Sequence, residues 1–312
     1  MNIEKTAIVL VTYGQWEKTE HCLKDLRTLP GERFRVFVVD NGSTDGTPQN
    51  IERDFPEVRL LCPNANLGFG AANNRGVALA LESGENFDSI FLLNNDTRVP
   101  QGALEALQRD LSHFPEDVVS PRLLNADGSV QKNWFSEIPH LHFFLNAFRT
   151  KSSAERYVHG ETVSIPNTPF REARWTNAAA WLMTVETWNR VGGFDEKFFM
   201  YYEDVDWAYR ARKAGIRFLI DTENALVHLD GGSAKSGLSR SMQHDSSQFY
   251  FYRKHFGFKG ALLSRSFRIL RSLVRIVPQI PRIPFSEAAR RTVKIHSHLF
   301  LLSLGVLKCE RQ

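Results

Sequence analysis

The sequence predicts an α/β fold around a mostly parallel sheet, with helices covering both faces. Two observations carry the prediction. Four short runs, 7–12 (AIVLVT), 34–40 (FRVFVVD), 58–62 and 89–93 (SIFLL), are continuously apolar or β-branched, as strands buried on both faces are. Segments with helical spacing alternate with them: 17–28, the alanine-rich 70–81, and 101–114 behind Pro100. In open sheets of this kind, ligands bind beyond the carboxyl ends of the strands. Thr12, Asp40, Asn66 and Asp96 all fall at or just past such ends.

The later elements are less regular. Residues 122–131, centred on Asn125-Ala126-Asp127-Gly128, read as a hairpin. Residues 133–171 carry weak periodicity and several prolines and give no element. Pattern returns with a strand over 175–184, a short helix over 186–191 ending in Gly192-Gly193, and a helix over 203–214. That helix begins on carboxylates and stops at Gly215, as helix polarity prefers. Strands are expected at 216–220 and 225–229, and a polar, flexible loop from Gly231 through Ser247. The expected organisation is one domain over residues 1–250, with a first half at about 1–120 and a second at about 121–250. A basic helical region over 251–312 follows.

Composition narrows the class. Apolar residues are 42% and charged residues 24% of the 312, ordinary for a soluble globular protein and incompatible with wholesale disorder. The net charge of +4 is unevenly placed. From Arg253 to Lys294 the bases Arg253, Lys254, Lys259, Arg265, Arg268, Arg271, Arg275, Arg282, Arg290, Arg291 and Lys294 meet a single acid, Glu287. On a helical wheel Leu263, Phe267, Leu270, Val274 and Val277 share a face, with Arg265, Arg268 and Arg275 pointing away. Such a helix either docks on an anionic membrane surface or packs its apolar side inward with the arginines solvated. Trp181, Trp188 and Trp207 read as core or sugar-stacking residues, so no nucleic-acid partner is expected. His140, His142, His296 and His298 lack the spacing of a helical zinc pair and read as surface residues. Cys22, Cys62 and Cys309 have no CxxC or metal-type spacing, which suits a reducing compartment. The N-terminal apolar run lacks a cleavage site, and 299–307 is shorter than the ~20 residues of a spanning helix. The expectation is a cytoplasmic protein with the inner face of the cell membrane as a candidate docking surface.

Three carboxylate positions could carry chemistry. Asp40 can accept from an imide N–H or a ribose hydroxyl, or simply start an Asx turn. Asp96, behind Asn94 and Asn95, can be a hard oxygen ligand for Mg²⁺ or Mn²⁺, or another turn residue. Glu203, Asp204 and Asp206 crowd behind the aromatic run 198–202, where a carboxylate can cap a helix or abstract a proton.

Taken in order, the stretches VTYGQWEKTEHCLKDL, VVDNGSTDGT, NLGFGAANNRG, LLNNDT, GGFDEKFFMYYEDVDWAYRARKAG and HLDGGS resemble glycosyltransferase family 2, and most closely its bacterial rhamnosyltransferase-type branch. The resemblance runs from about Ala7 to Ser233, with a softer similarity through 248–257. It implies a GT-A fold and an inverting, single in-line displacement on a nucleotide-sugar donor. Thr12, Tyr13 and Asp40 match positions that hold the nucleoside. Asn66, Gly70 and Asn73 match the glycine-rich segment lining the nucleotide pocket. Asn94-Asn95-Asp96 stands in place of the metal-binding DxD, so the implied divalent cation, Mg²⁺ or Mn²⁺, has one carboxylate there, with Asn95 beside the nucleotide. Asp204, with Glu203 before it, matches the general base, and His228 the late metal-shell histidine. The implied donor is a dTDP- or UDP-sugar, such as dTDP-rhamnose. The implied acceptor is a glycan or a polyprenyl-diphosphate-linked glycan in surface polysaccharide synthesis. Gly14 departs from the asparagine common after the Thr-Tyr pair. Two rival readings are a sugar nucleotidyltransferase and a non-catalytic scaffold. The first lacks its glycine-rich, basic triphosphate loop, because Gln15-Trp16 stand there; intact Asp96 and Glu203-Asp204 oppose the second.

Overall fold

The computed structural model describes residues 2–135, 162–229 and 237–307. These residues form two compact units. One comprises 2–135, 162–196 and 203–229, the other 197–202 and 237–307.

The first unit opens as the apolar runs predict. β1 (Thr6–Thr12), α1 (Trp16–Leu26), β2 (Phe34–Asp40), α2 (Thr47–Asp54), β3 (Arg59–Leu61), α3 (Phe69–Leu81) and β4 (Ser89–Asn94) alternate along the chain. Their strands pair in parallel in the order β3-β2-β1-β4. There follow β5 (Thr97–Arg98), α4 (Ala103–His113), β6 (Val118–Leu124), β7 (Val130–Gln131), β8 (Trp134–Phe135), β9 (Val163–Ser164), β10 (Phe170–Ala173), β11 (Trp175–Thr176), β12 (Ala180–Thr184), α5 (Val185–Val191), α6 (Glu203–Lys213) and β13 (Phe218–His228). The sheet continues β4-β12-β6-β13-β10-β9 and has 11 strands in all. β12 runs antiparallel to β4, and β13 parallel to β6. The parallel half is therefore the N-terminal one, and the remainder is mixed.

Three local readings change. The strand expected over 175–184 is two. Trp175–Thr176 leaves the sheet to pair with β8, the Phe135 and Trp175 rings stacking at 4.0 Å, and Ala180–Thr184 joins β4. The strands expected at 216–220 and 225–229 are one, β13, irregular between Asp221 and Ala225. There Asp221 Oδ1 accepts the N–H groups of Glu223 (2.8 Å) and Asn224 (3.2 Å), so a side chain satisfies backbone that the ladder cannot. Lastly, the loop expected through Ser247 is helical from Gly237 onward; Gly231-Gly232-Ser233, like His140 and His142, lies outside the described residues.

Both sheet faces are covered. On one, Ile8, Leu10, Val38, Phe91 and Leu93 meet Leu23 and Leu26 of α1, Ile51 of α2, and Leu104, Leu107 and Leu111 of α4. On the other, α3 lies so close that a Cβ on Gly76 would collide with Val9. Trp181 packs on Trp207 and Phe218, and Trp188 on Phe194, so these tryptophans are core. Each fully buried large apolar side chain contributes on the order of 1.5–3 kcal/mol.

The second unit is helical. α7 (Gly237–Ile276) breaks at Gly257, whose φ of 65° is one that glycine tolerates. A 3₁₀ turn, Val277–Arg282, leads to α8 (Glu287–Leu304), which is capped by the Ser286 hydroxyl accepting from Ala289 N–H at 3.2 Å and stopped by Gly305. α7 and α8 pack along each other. The helical wheel has the period right and the orientation of two arginines wrong. Arg268 is turned inward against the buried Asp245, and Arg265 donates to Ser303 C=O at 3.1 Å. Leu263, Leu270, Val274 and Val277 are exposed. His296 is half-buried: burial, then the charges of Arg268, Arg271 and Arg275, push it down to about 4. No helix among the described residues is long and apolar enough to cross a membrane.

Candidate active site

Strand register builds the first part of the site. Thr12 pairs with Asp40 and Val11 with Asn94, so the carboxyl ends of β1, β2 and β4 form one row. Buried Asp40 satisfies both readings of its type. Its Oδ1 accepts from Gly42 N–H (3.2 Å) and Ser43 N–H (2.9 Å), an Asx turn, while its buried Oδ2 has no hydrogen-bond partner. A buried carboxylate oxygen left so is costly. An imide N–H or a ribose hydroxyl would satisfy it. Beside it, Asn41 holds the next loop, donating to Asn66 Oδ1 (3.0 Å) and accepting from Leu67 N–H (2.7 Å). Asn66 Oδ1 also accepts from Gly68 N–H at 3.0 Å, directly before α3. Asn73, on α3, donates to Phe69 C=O at 2.9 Å.

Thr12 and Asn95 brace this shelf. The Thr12 and Thr19 hydroxyls lie 3.0 Å apart, and Asn95 Nδ2 donates to both, at 3.3 and 2.8 Å. Tyr13 is exposed at the strand end. Gly14 and Gln15 after it both have left-handed backbone (φ 67° and 60°), which turns the chain sharply into α1. Gly14 N–H donates to Ser43 Oγ at 2.6 Å, closing the two loops on each other.

The second part is made by the small strand β5. It pairs antiparallel with β13, His228 opposite Thr97, and so carries His228 beside Asp96. His228 Nε2 lies 3.2 Å from Asp96 Oδ1 and 3.3 Å from Asn94 Nδ2. Its Nδ1 lies 2.7 Å from Gln131 Oε1, while Gln131 Nε2 donates to Asn125 Oδ1 at 3.0 Å. That arrangement places a proton on Nδ1, so Nε2 carries a lone pair when the ring is neutral and donates to Asp96 Oδ1 when the ring is protonated. With the ring neutral, Nε2 and Asp96 Oδ1 are adjacent acceptors that could both ligate a cation, and a metal-ligating histidine is ordinarily oriented by such a hydrogen bond from its other nitrogen. Lys18 Nζ stands 3.9 Å from Asp96 Oδ2. Burial raises the Asp96 pKa, but the hydrogen bond and charge of His228, with Lys18, outweigh it and hold Asp96 below the usual carboxylate value. Among the described residues no three His, Cys, Asp or Glu side chains form a metal cluster. A divalent cation would thus take Asp96 and His228 from the protein and its other ligands from diphosphate oxygens and water, which suits Mg²⁺ or Mn²⁺.

The third part is the start of α6. Tyr201 and Tyr202 both have positive φ (66° and 67°), a costly conformation for aromatic residues, immediately before Glu203. Glu203 is buried, its Oε2 without a hydrogen-bond partner, and burial, then the neighbouring Asp204 charge, raises its pKa well above the usual range. Asp204 is half-buried, with Oδ1 accepting from Val205 N–H at 2.8 Å. Asp206 is buried in an ion pair with Arg210 at 2.9 Å. Burial thus favours the protonated form of Glu203, while Asp204 beside it is half-buried. Gly70 links this part to the first. A Cβ there would meet Phe194 Cβ at 2.9 Å and Glu203 Cβ at 3.3 Å, so its missing side chain lets the first turn of α3 approach the carboxylate pair.

The family model described as "Glycosyl transferase family 2" matches residues 7–171. An N-acetylglucosaminyl-diphospho-decaprenol L-rhamnosyltransferase of Mycobacterium tuberculosis is 31% identical over 86% of this chain and 94% of its own. The chain belongs to glycosyltransferase family 2. A dTDP-rhamnosyl transferase RfbF of Shigella flexneri is 24% identical, covering 80% of this chain and 77% of its own. Among solved structures, the mannosyltransferase PcManGT of Pyrobaculum calidifontis with GDP-Man and Mn²⁺ superposes with a TM-score of 0.52 at 14% identity, over 97% of this chain and 86% of that one. GalNAc-T7 with UDP, GalNAc and Mn²⁺ gives 0.57 at 11% identity; this chain spans 56% of its length. The fold of this family 2 transferase is GT-A. Two residues of its site escape sequence reasoning, Lys18 and Gln131. Lys18 sits inside the first motif stretch, where only its solvent-facing helical position was legible. Gln131 closes a hairpin with Leu123, but its side-chain partner, His228, is distant in sequence.

Proposed function

We propose that this transferase moves a sugar, L-rhamnose from dTDP-rhamnose or a hexose from a UDP-sugar, with inversion, onto a polyprenyl-diphosphate-linked glycan at the inner face of the cell membrane. The observation that carries the reading is a pair of complementary bonding demands at one sheet edge: the unpartnered Asp40 Oδ2 and the facing acceptors Asp96 Oδ1 and His228 Nε2. The first suits a nucleoside and the second a diphosphate with its counter-ion. The rhamnosyl transferases similar to this chain support rhamnose, and the name of the mycobacterial one supports a diphospho-polyprenol acceptor. Residues 1–250 would hold the catalytic machinery and 251–312 the membrane-facing part.

In the mechanism, Asp40 and the loop held by Asn41 and Asn66 orient the nucleoside. Asp204 takes the proton of the acceptor hydroxyl as that oxygen attacks the anomeric carbon and the bond from carbon to the diphosphate oxygen breaks. A carboxylate of ordinary basicity suffices, because the proton becomes acidic only as the oxygen bonds to carbon. Neutral Glu203 keeps a second negative charge away from Asp204. Lys18 lies beside Asp96, on the side where departing charge needs compensation. Held by Asp96 and His228, a divalent cation would neutralise the leaving diphosphate.

The test is a panel of dTDP-, UDP- and GDP-sugars with Mn²⁺ or Mg²⁺ and the full chain, reading thermal shift and nucleotide release. Stabilisation and slow hydrolysis by one dTDP- or UDP-sugar is the expected result. No response to any nucleotide sugar would overturn the reading, and a response to GDP-sugars alone would replace its donor.

A further inference from the structure

The later half of α7 is built with its polarity reversed. The inward row of α7 is small or polar: Gly260, Ser264, Arg268, Arg271 and Ser272 are buried or half-buried. Ser264 and Ser272 are 0% exposed, and their hydroxyls have no hydrogen-bond partner. On α8 the inward side includes His296 and Ser303, the latter bonded back to Leu299 C=O and receiving Arg265 on its own carbonyl. The outward row of the same helix is Leu262, Leu263, Leu270, Leu273, Val274 and Val277. It continues through Ile280 to Phe285, 91% exposed, and at the other end starts from Phe258, 80% exposed. A water-soluble helix pair buries its apolar row and wets its polar one. α7 does the opposite over about five turns, while α8 buries Ala289, Leu299 and Leu302 beside Ser303.

Charge identifies what covers the row. The exposed ionic residues alongside it are Arg253, Lys254, Lys259, Arg275, Arg282, Arg290, Arg291 and Lys294, against the single acid Glu287. A second copy of the chain would bring the same positive charge to the contact and be repelled. An anionic bilayer offers both complements, acyl chains for the leucine row and phosphates for the flanking bases. The length and hydropathy of the helices exclude crossing.

We infer that the α7–α8 pair is a monotopic membrane anchor: Leu263, Leu270, Val274, Val277 and Phe285 sink among the acyl chains, and the flanking arginines and lysines rest on lipid phosphates. This deepens the proposed function, since it rests on an acceptor that stays at the bilayer. It also changes the nature of the attachment from electrostatic adsorption to apolar insertion, a property that salt distinguishes.

The experiment is flotation of the full chain with vesicles of phosphatidylcholine and phosphatidylglycerol at low and at 1 M salt, beside vesicles of phosphatidylcholine alone. The expected result is binding to anionic vesicles at low salt that weakens at 1 M salt but persists. The variant Leu270→Ser/Val274→Ser/Val277→Ser should lose the salt-resistant part at least tenfold, with unchanged circular dichroism because the three positions are exposed. Arg282→Gln/Arg290→Gln/Arg291→Gln should lose mainly the salt-sensitive part. Binding that vanishes entirely at 1 M salt, or a serine variant that floats like the parent, overturns insertion. So does failure of the parent to float, and a dimer in light scattering that the serine variant abolishes would assign the row to a second copy. Donor hydrolysis, measured on the same samples, reports the proposed function separately, because a soluble nucleotide sugar does not need the bilayer.

Discussion

The two units of this chain treat buried polarity in opposite ways. In the first, polar side chains are buried mainly where strands end, and each of these holds something in place. Thr12, Thr19 and Asn95 brace a shelf, Gln131 orients His228, and Asn41 holds a loop. The interiors of β1, β2 and β4 are apolar apart from the exposed Arg35 of β2. In the second, serines, arginines and a histidine lie between helices whose outward row is leucine, valine and phenylalanine. Burial of an apolar group is favourable only relative to water. A unit that leaves its leucines outside therefore reports the medium it was selected for, and the contrast inside one chain makes composition alone a poor guide to it.

The largest expected effect breaks the chemical side of the comparison. Asp204→Asn should keep donor binding and lower turnover by about 10²–10⁴-fold, as removal of a general base does; near-normal turnover would move the role to Glu203. Next, Leu92→Ala, at a fully buried position of β4, should cost about 2–5 kcal/mol. Leu270→Ala, at an exposed position of α7, should stay within about 0.5 kcal/mol. Chemical denaturation of both variants in detergent-free buffer decides this, and equal losses would remove the contrast between the units. Third, Gln131→Ala should weaken Mn²⁺ binding to the nucleotide-diphosphate complex by about 10–100-fold. Calorimetry with and without chelator checks it, and an equal nucleotide loss under both conditions would assign Gln131 to the fold alone.

Two smaller effects follow from protonation. Glu203 has a raised pKa in the fold, so the folded state holds a proton that the unfolded chain releases as pH rises above the usual glutamate range. Its contribution thus turns unfavourable with rising pH. Glu203→Gln should accordingly raise Tm at pH 8 by roughly 2–4 °C, equivalent to about 1 kcal/mol in a domain of this size. It should do nothing at pH 4; a variant that loses stability at pH 8 would mean that the carboxylate form is needed. His296 works in the other direction. Depressed to about 4, it stays neutral while the unfolded chain takes up a proton below the ordinary value near 6.5, so stability is lost as pH falls through that window. His296→Gln should flatten the Tm profile between pH 7 and 5.

Legibility followed periodicity. The strands and helices of the first 94 residues announce themselves because buried parallel strands are uninterrupted apolar runs. Asp40, Asp96, Asp204 and His228 were legible as candidates through motif order. What joins them was not. β5 is two residues long, too short for any pattern, yet it alone brings Asp96 to His228. β13 reads as two strands because Asp221 to Asn224 interrupt it with polar residues that form their own turn. Gly70 reads as a nucleotide-lining glycine, and its closeness to Phe194 and Glu203, distant in sequence, had no sequence signal. The tail's period was clear, but period does not say which side of a helix faces inward, and the answer there depends on the solvent.

The β5–β13 pairing has a consequence for the order of assembly. It brings Asn94 to His228 across 134 residues of chain. During synthesis β1, β2, α3 and β4 emerge early and can gather the shelf at their carboxyl ends. The cation pair cannot exist until β13, which is also an interior strand of the sheet, has left the ribosome. Contacts of such separation form late, because loop closure precedes any return from them. Under the proposed function, the nascent chain would acquire its affinity for a base before its capacity to hold a diphosphate. A half-made enzyme would be unable to retain, or to waste, the activated sugar on which its finished form depends.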